Sequence, residues 1–293
     1  MAVAPSTLSQ NTRALWRRRI VRGLVTVVLL AFTLVVIVPF IWMVILSLRT
    51  TGGILNDPYG LPIPPRWQNY TKLLFDPQYH FYQYFLNSVI ASVGAVGLET
   101  AIATMAGYGF GRPRYDFKLR GALLAFLLAA LMLPRQITYI PQFVMMSRYG
   151  LIGTRWALVL LYAAGALPFS VYLMSTYFSQ LPSEFEDAAR IDGCSDFGMF
   201  WRVMLPLATP AISTVVLLNF MGHWNELLLA ITMTPDPALR TLPAQIWYFI
   251  GEHGVDYGLA ATSLTVAAVP ILILYLFMSE RFVEVLTAGG VKG

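Results

Sequence analysis

Six long apolar runs divide the chain, at about residues 24–48, 84–108, 121–143, 156–177, 210–232 and 259–280. Each comes near the roughly 20 apolar residues that an α-helix needs to cross a bilayer. A helix satisfies its own backbone in lipid, where no water can do so. The pattern therefore predicts an all-α integral membrane protein with six transmembrane helices. Pro39, Pro134, Pro141, Pro168 and Pro270 fall inside these runs or near their ends, where proline kinks or breaks a helix. Such kinks suit halves that rock against each other around a polar cavity, although proline is also ordinary in membrane helices. The polar stretches between runs are unequal. Residues 49–80 carry Pro58, Pro62, Pro64, Pro65 and Pro77, which predicts loops with one short helix near Trp67–Phe75. Residues 181–209 form a polar insertion that is long enough to fold on its own terms.

Charge sets the orientation. Arg13, Arg17, Arg18, Arg19 and Arg22 precede the first run, which places the N-terminus in the cytoplasm. The first run is too long for a signal peptide and no small-residue cleavage site follows it, so it reads as a retained helix. With this orientation 13 of the 20 basic residues are cytoplasmic and six external, while Arg135 falls within the third run. An even number of spans returns the C-terminus to the cytoplasm. The expected organisation is a cytoplasmic segment 1–23, a six-helix domain 24–280 containing the 181–209 insertion, and a cytoplasmic tail 281–293. A bacterial or archaeal cytoplasmic membrane is the expected location. Charged residues make up 12% of the chain and hydrophobic ones 57%, where a soluble protein carries about 25% charge. The basic residues lie at membrane flanks, so the net charge of +5 is not a nucleic-acid footprint. The single cysteine, Cys194, excludes an intramolecular disulfide and a cysteine metal cluster.

The insertion reads EDAARIDGCSDFGMFWRVMLPLATP from Glu186 to Pro210. Ser183 and Glu186 have capping-box spacing, in which each side chain serves the other residue's amide. Glu184, Glu186 and Asp187 complement the positive end of the helix they begin. Ala188 and Ala189 leave a thin helix face. Gly193 then offers a turn that residues with a Cβ resist. A second helix is expected from Ser195 or Asp196 to Leu205-Pro206. The two helices would make a compact knob on the cytoplasmic side, either a docking element for a soluble partner or a plain solvated hairpin.

Glu186-Asp187-Ala188-Ala189, Asp192-Gly193, Phe200, Leu205-Pro206 and Pro210 resemble the coupling loop of binding-protein-dependent ABC importers. Asp187 stands where the simplest form of that pattern has Ala, and Cys194 where Ala is frequent. Phe85-Leu86-Asn87-Ser88, Ala106 to Arg112, Trp224-Asn225-Glu226 and the terminal Leu286 to Gly293 extend the resemblance over residues 15–293. Together they resemble the shorter six-helix permease of a carbohydrate, maltose-type importer. The resemblance implies the type I ABC importer permease fold with a cytoplasmic coupling helix. It also implies a second related permease, two copies of a cytoplasmic ATPase that bind ATP and Mg, and an external solute-binding protein that delivers a sugar. By the same resemblance Glu186, Asp187, Ala188, Ala189, Asp192, Gly193, Phe200, Leu205 and Pro206 couple to the ATPase. Gly289, Gly290 and Lys292 belong to a tail that inserts between ATPase subunits.

The chain has no phosphate-binding loop with Lys and Ser or Thr, no nucleophile triad and no His-Glu metal motif, so it is not expected to be an enzyme or to hold a cofactor. Gly107, Gly109 and Gly111 lack the lysine of a phosphate loop and read as close helix packing. His80, His223 and His253 are too scattered for a metal site. Glu99 in the second run, and His223, Asn225 and Glu226 in the fifth, are costly in lipid and normally face a cavity or another polar group. They are candidates for a translocation path, with structural hydrogen bonding as the plainer reading. Two other functions compete with a sugar importer. A glycerol 3-phosphate or glycerophosphodiester importer would use Arg135 on phosphate. A gradient-driven carrier would use Glu99 and Glu226 as proton sites but would have no use for the knob.

Overall fold

The computed structural model describes residues 6–247, 249–250 and 255–290, and every regular element among them is helical. On the N-terminal side lie α1 (Ser6–Ser47), α2 (Thr51–Asn56), α3 (Gln68–Phe75) and α4 (Phe81–Gly111). The middle of the chain holds α5 (Arg120–Ala130), α6 (Tyr139–Arg148) and α7 (Arg155–Gln180). The insertion folds as α8 (Glu184–Ile191), α9 (Asp196–Met199), a π-helical turn at Phe200–Met204 and α10 (Leu205–Leu207). After it come α11 (Thr209–Trp224), α12 (Leu228–Met233), α13 (Leu242–Trp247) and α14 (Tyr257–Gly290).

Helices α4 and α7 make the most extensive contact in the molecule, and small residues explain how. Ala91 and Ala95 of α4 pack into one core with Ala157, Leu158, Leu161 and Tyr162 of α7. Further along, a Cβ on Gly111 would lie 2.6 Å from the Ser175 carbonyl oxygen, and one on Gly107 would overlap Met174. Small side chains let membrane helices approach until their backbones pack. Gly109 has nothing within 4 Å of a would-be Cβ, so of the three expected packing glycines it takes no part. Helix α1 packs chiefly on α14, and its most apolar stretch is unburied, as for a helix against lipid or another chain.

Four helices, within α1, α4, α7 and α14, are long and apolar enough to cross a membrane. Two further pairs qualify together but are bent, Arg120–Ala130 with Arg135–Arg148 by 94° and Asp196–Leu207 with Thr209–Trp224 by 70°. The third apolar run is thus not one straight helix. Pro134 removes an amide donor and turns its predecessor away from helix, so α5 ends at Ala130 and a 3-10 turn begins afresh at Arg135. Pro141 falls in the first turn of α6, where no amide is needed. The fifth run divides at residues 225–227, between α11 and α12. Pro39, Pro168 and Pro270 lie within continuous helices.

Candidate functional site

The insertion forms a knob whose anchor is a carboxylate. Glu186 on α8 is buried and accepts hydrogen bonds from the Tyr108 hydroxyl at 2.8 Å and the Arg112 Nη2 at 2.6 Å. Arg112 is buried as well, and its Nη1 donates to the carbonyls of Phe178 at 3.0 Å and Leu181 at 2.7 Å. One guanidinium therefore joins the end of α4, the end of α7 and the first turn of α8. Charge-assisted bonds of this kind are short and directional. The capping box expected at Ser183 and Glu186 is not formed: Ser183 has helical backbone angles and makes no side-chain cap. Its partner carboxylate is committed to Tyr108 and Arg112 instead.

Around this clasp lies an apolar cluster. The Tyr108 ring meets Tyr115 and Phe178 at 5.3 Å and Phe200 at 5.2 Å. Ala189, Met199 and Met204 complete the same core. Of the sequence-predicted coupling residues, Glu186, Ala189 and Phe200 thus face this chain's own helices. Asp187, Ala188, Asp192, Gly193 and Pro206 are exposed, and Leu205 is half-buried.

Gly193 has φ of 79°, and its amide donates to the Arg190 carbonyl while the Cys194 amide donates to Ala189. This paired closure requires a left-handed residue, which is why glycine stands there. Ser195 then caps α9 by accepting from the Gly198 amide at 3.2 Å. The free side of the knob is unexpectedly apolar: Ile191 is 87% exposed, Phe197 74% and Trp201 47%.

The intramembrane polar residues fall into two groups. Glu99 is fully buried and lies 3.1 Å from His223 Nε2, with the Tyr162 ring stacked on the imidazole at 5.1 Å. A cavity of about 480 Å³ opens among α5, α6, α7 and α11, with Arg135, Gln142, Tyr162, His223 and Glu226 on its walls. Glu226 accepts from the Leu229 amide at 3.0 Å and so caps α12. Asn225 donates to the Met221 carbonyl at the end of α11 and is absent from the cavity wall, as is Glu99. Gly289 and Gly290 lie at the end of α14, and Lys292 is outside the described residues.

Tyr108 and Arg112, which hold Glu186, are residues that sequence reasoning did not single out, although both belong to the glycine-rich stretch quoted for the resemblance. Gln142 and Tyr162 also went unmarked, since neither residue is unusual in an apolar run.

Comparison with known proteins matches residues 100–287 to the family model of the binding-protein-dependent transport system inner membrane component. A probable ABC transporter permease of Bacillus subtilis, YurM, is 34% identical over 92% of this chain and 88% of its own length. The diacetylchitobiose uptake system permease NgcG of Streptomyces coelicolor is 33% identical over 89% and 86% respectively. A chain of a bacterial ABC transporter involved in the import of the acidic polysaccharide alginate superposes with a TM-score of 0.77, at 23% identity, over 91% of this chain and 98% of that one. The protein belongs to the inner-membrane permease family of binding-protein-dependent ABC transport systems. Its helical architecture is that of an ABC importer permease, and members of the family are membrane transport components rather than enzymes.

Proposed function

We propose that this chain is the permease subunit of an ATP-driven importer of a sugar or oligosaccharide, with a six-helix core and a coupling helix at Glu184–Ile191. The observation that carries the reading is the two-sided knob: its inner side is fastened by Arg112 to Glu186, while Ile191, Phe197 and Trp201 stand bare on its outer side. Apolar side chains grouped on a water-facing element mark a docking surface. The occupant in this reading is a cytoplasmic ATPase, present in two copies, which binds ATP and Mg. Closure of the ATPases would move the knob, and the Arg112 clasp would pass that movement to α4 and α7. Both termini are cytoplasmic, and the tail at Gly289, Gly290 and Lys292 reaches the ATPases. A second, related permease completes the pore, and an external solute-binding protein delivers the substrate. A saccharide is favoured over a glycerol phosphate by the diacetylchitobiose carrier among the relatives.

The test is affinity purification of this chain from its native membrane. A second permease and an ATPase should co-purify in stoichiometric amounts. Gly193→Asp, which strains the left-handed turn, should release the ATPase but leave the second permease bound. Active uptake by the chain alone, without ATP, would overturn the reading.

A further inference from the structure

The cavity between α5, α6, α7 and α11 has Arg135 and Glu226 on its walls, and the two are not joined as an ion pair. Arg135 opens the 3-10 turn after Pro134, and its guanidinium rests against α7, with Nη2 2.7 Å from where a Cβ on Gly165 would stand. No carboxylate among the described residues comes within ion-pair distance of it. A charge at this depth normally pairs or faces a polar pathway. The other walls are rich in groups that await hydrogen-bond partners. The Gln142 Oε1 and the Tyr162 hydroxyl are buried and unpartnered, and Tyr162 as a residue is only 2% exposed. Glu226, an acceptor only when ionised, has spent one oxygen on the Leu229 amide. Buried polar atoms left in this state await a ligand or water.

We infer that this cavity is a substrate-contacting subsite on this chain for a sugar unit bearing an anionic group, such as a uronate. The guanidinium takes the anionic oxygens, the geometry it matches best. Sugar hydroxyls donate to Gln142 Oε1 and Glu226, and accept from the Tyr162 hydroxyl. The volume of about 480 Å³ suits one or two sugar rings. A neutral sugar leaves Arg135 unpaired, so the subsite discriminates by charge. This inference rests on the sugar-import reading and adds the substrate class to it.

The experiment uses the whole importer, purified in detergent without its binding protein, and measures equilibrium binding of digalacturonate and of lactose. Digalacturonate should bind the unaltered complex, and lactose about tenfold more weakly. Arg135→Gln should weaken digalacturonate about tenfold and leave lactose unchanged. Gly165→Ala supplies a second variant, because the new methyl displaces the guanidinium and keeps its charge. It should weaken digalacturonate in the same direction, and Tyr162→Phe should weaken both sugars. Arg135 is exposed on the cavity side, so its replacement does not threaten folding. Equal affinity for the two sugars, no binding of either, or no effect of Arg135→Gln would overturn the inference. So would a variant that alters only the retention of anionic phospholipid. ATP-dependent uptake by the unaltered importer with its binding protein is scored separately. Its absence for every sugar overturns the import reading, whereas intact uptake with a silent Arg135 overturns the subsite alone.

Discussion

Arg112 and Glu186, 74 residues apart in the chain, meet at 2.6 Å with both side chains buried, and through this pair the knob is bolted to α4 and α7. Breaking a buried pair by removing one partner strands the other charge, at a cost of about 3–5 kcal/mol. Glu186→Ala should therefore lower the melting temperature of the purified importer and open residues 181–209 to protease. Glu186→Gln keeps one acceptor oxygen, for Arg112, and turns an NH2 donor to the Tyr108 hydroxyl, so it should lose less than the alanine. If the knob relays movement, uptake should fall in both variants even where the complex still assembles. An unchanged melting temperature in Glu186→Ala would show that the clasp does not hold the knob.

The outer side of the knob should behave in the opposite way. Ile191 and Phe197 touch solvent over most of their surface, so Ile191→Asp and Phe197→Asp leave the fold of this chain intact. Both should reduce ATPase recovery in co-purification while the melting temperature of the permease is kept. Full ATPase recovery with both substitutions together would place the docking surface elsewhere.

The contrast between these two sides marks where sequence reasoning reached and where it stopped. Gly193 was legible because the turn it makes is local: its φ of 79° and the two amides that close the motif involve only neighbouring residues. Glu186 was legible as a residue but not in its role. Ser183 and Glu186 have capping-box spacing, yet the carboxylate is claimed by Arg112 and Tyr108, which spacing within the insertion cannot reveal. Similarly, Glu99 and His223 were each recognised as costly in lipid, but their contact spans 124 residues of sequence. The third apolar run looked continuous because hydropathy passes through Pro134 without interruption, whereas the backbone does not. The all-helical character was readable from the apolar runs, and the long-range polar pairs were not.

The glycine seam between α4 and α7 makes a sharp internal control. At Gly111 an added Cβ would lie 2.6 Å from the Ser175 carbonyl oxygen and 2.8 Å from the Phe178 Cβ, so backbone has to move. Overpacking of this kind costs about 1–3 kcal/mol. Gly109, two residues away, has open space on its face. Gly111→Ala should destabilise the purified protein and Gly109→Ala should not, with thermal melting in detergent as the measurement. Equal effects would mean that helix propensity, rather than close approach, governs these positions.

On the opposite end of the bundle Asn87 acts as a latch. It is 1% exposed, and its amide nitrogen donates to the carbonyls of Ala238 at 2.9 Å and Arg240 at 3.0 Å. Its amide oxygen accepts from the Arg155 Nε at 2.8 Å. One side chain thus ties the start of α4 to the start of α7 and to the segment before α13. Asn87→Leu keeps the volume but removes all three bonds, leaving partners unsatisfied at about 1–3 kcal/mol for each that stays buried. Asn87→Asp keeps the acceptor for Arg155 and loses the two donors, so it should repair part of the loss only if the Arg155 contact matters. We expect protease sensitivity across residues 234–242 to rise most in Asn87→Leu and to an intermediate degree in Asn87→Asp. Should both variants match the unaltered protein, the segment before α13 is held by other contacts, such as the Leu242 amide on the Ser88 hydroxyl at 2.7 Å.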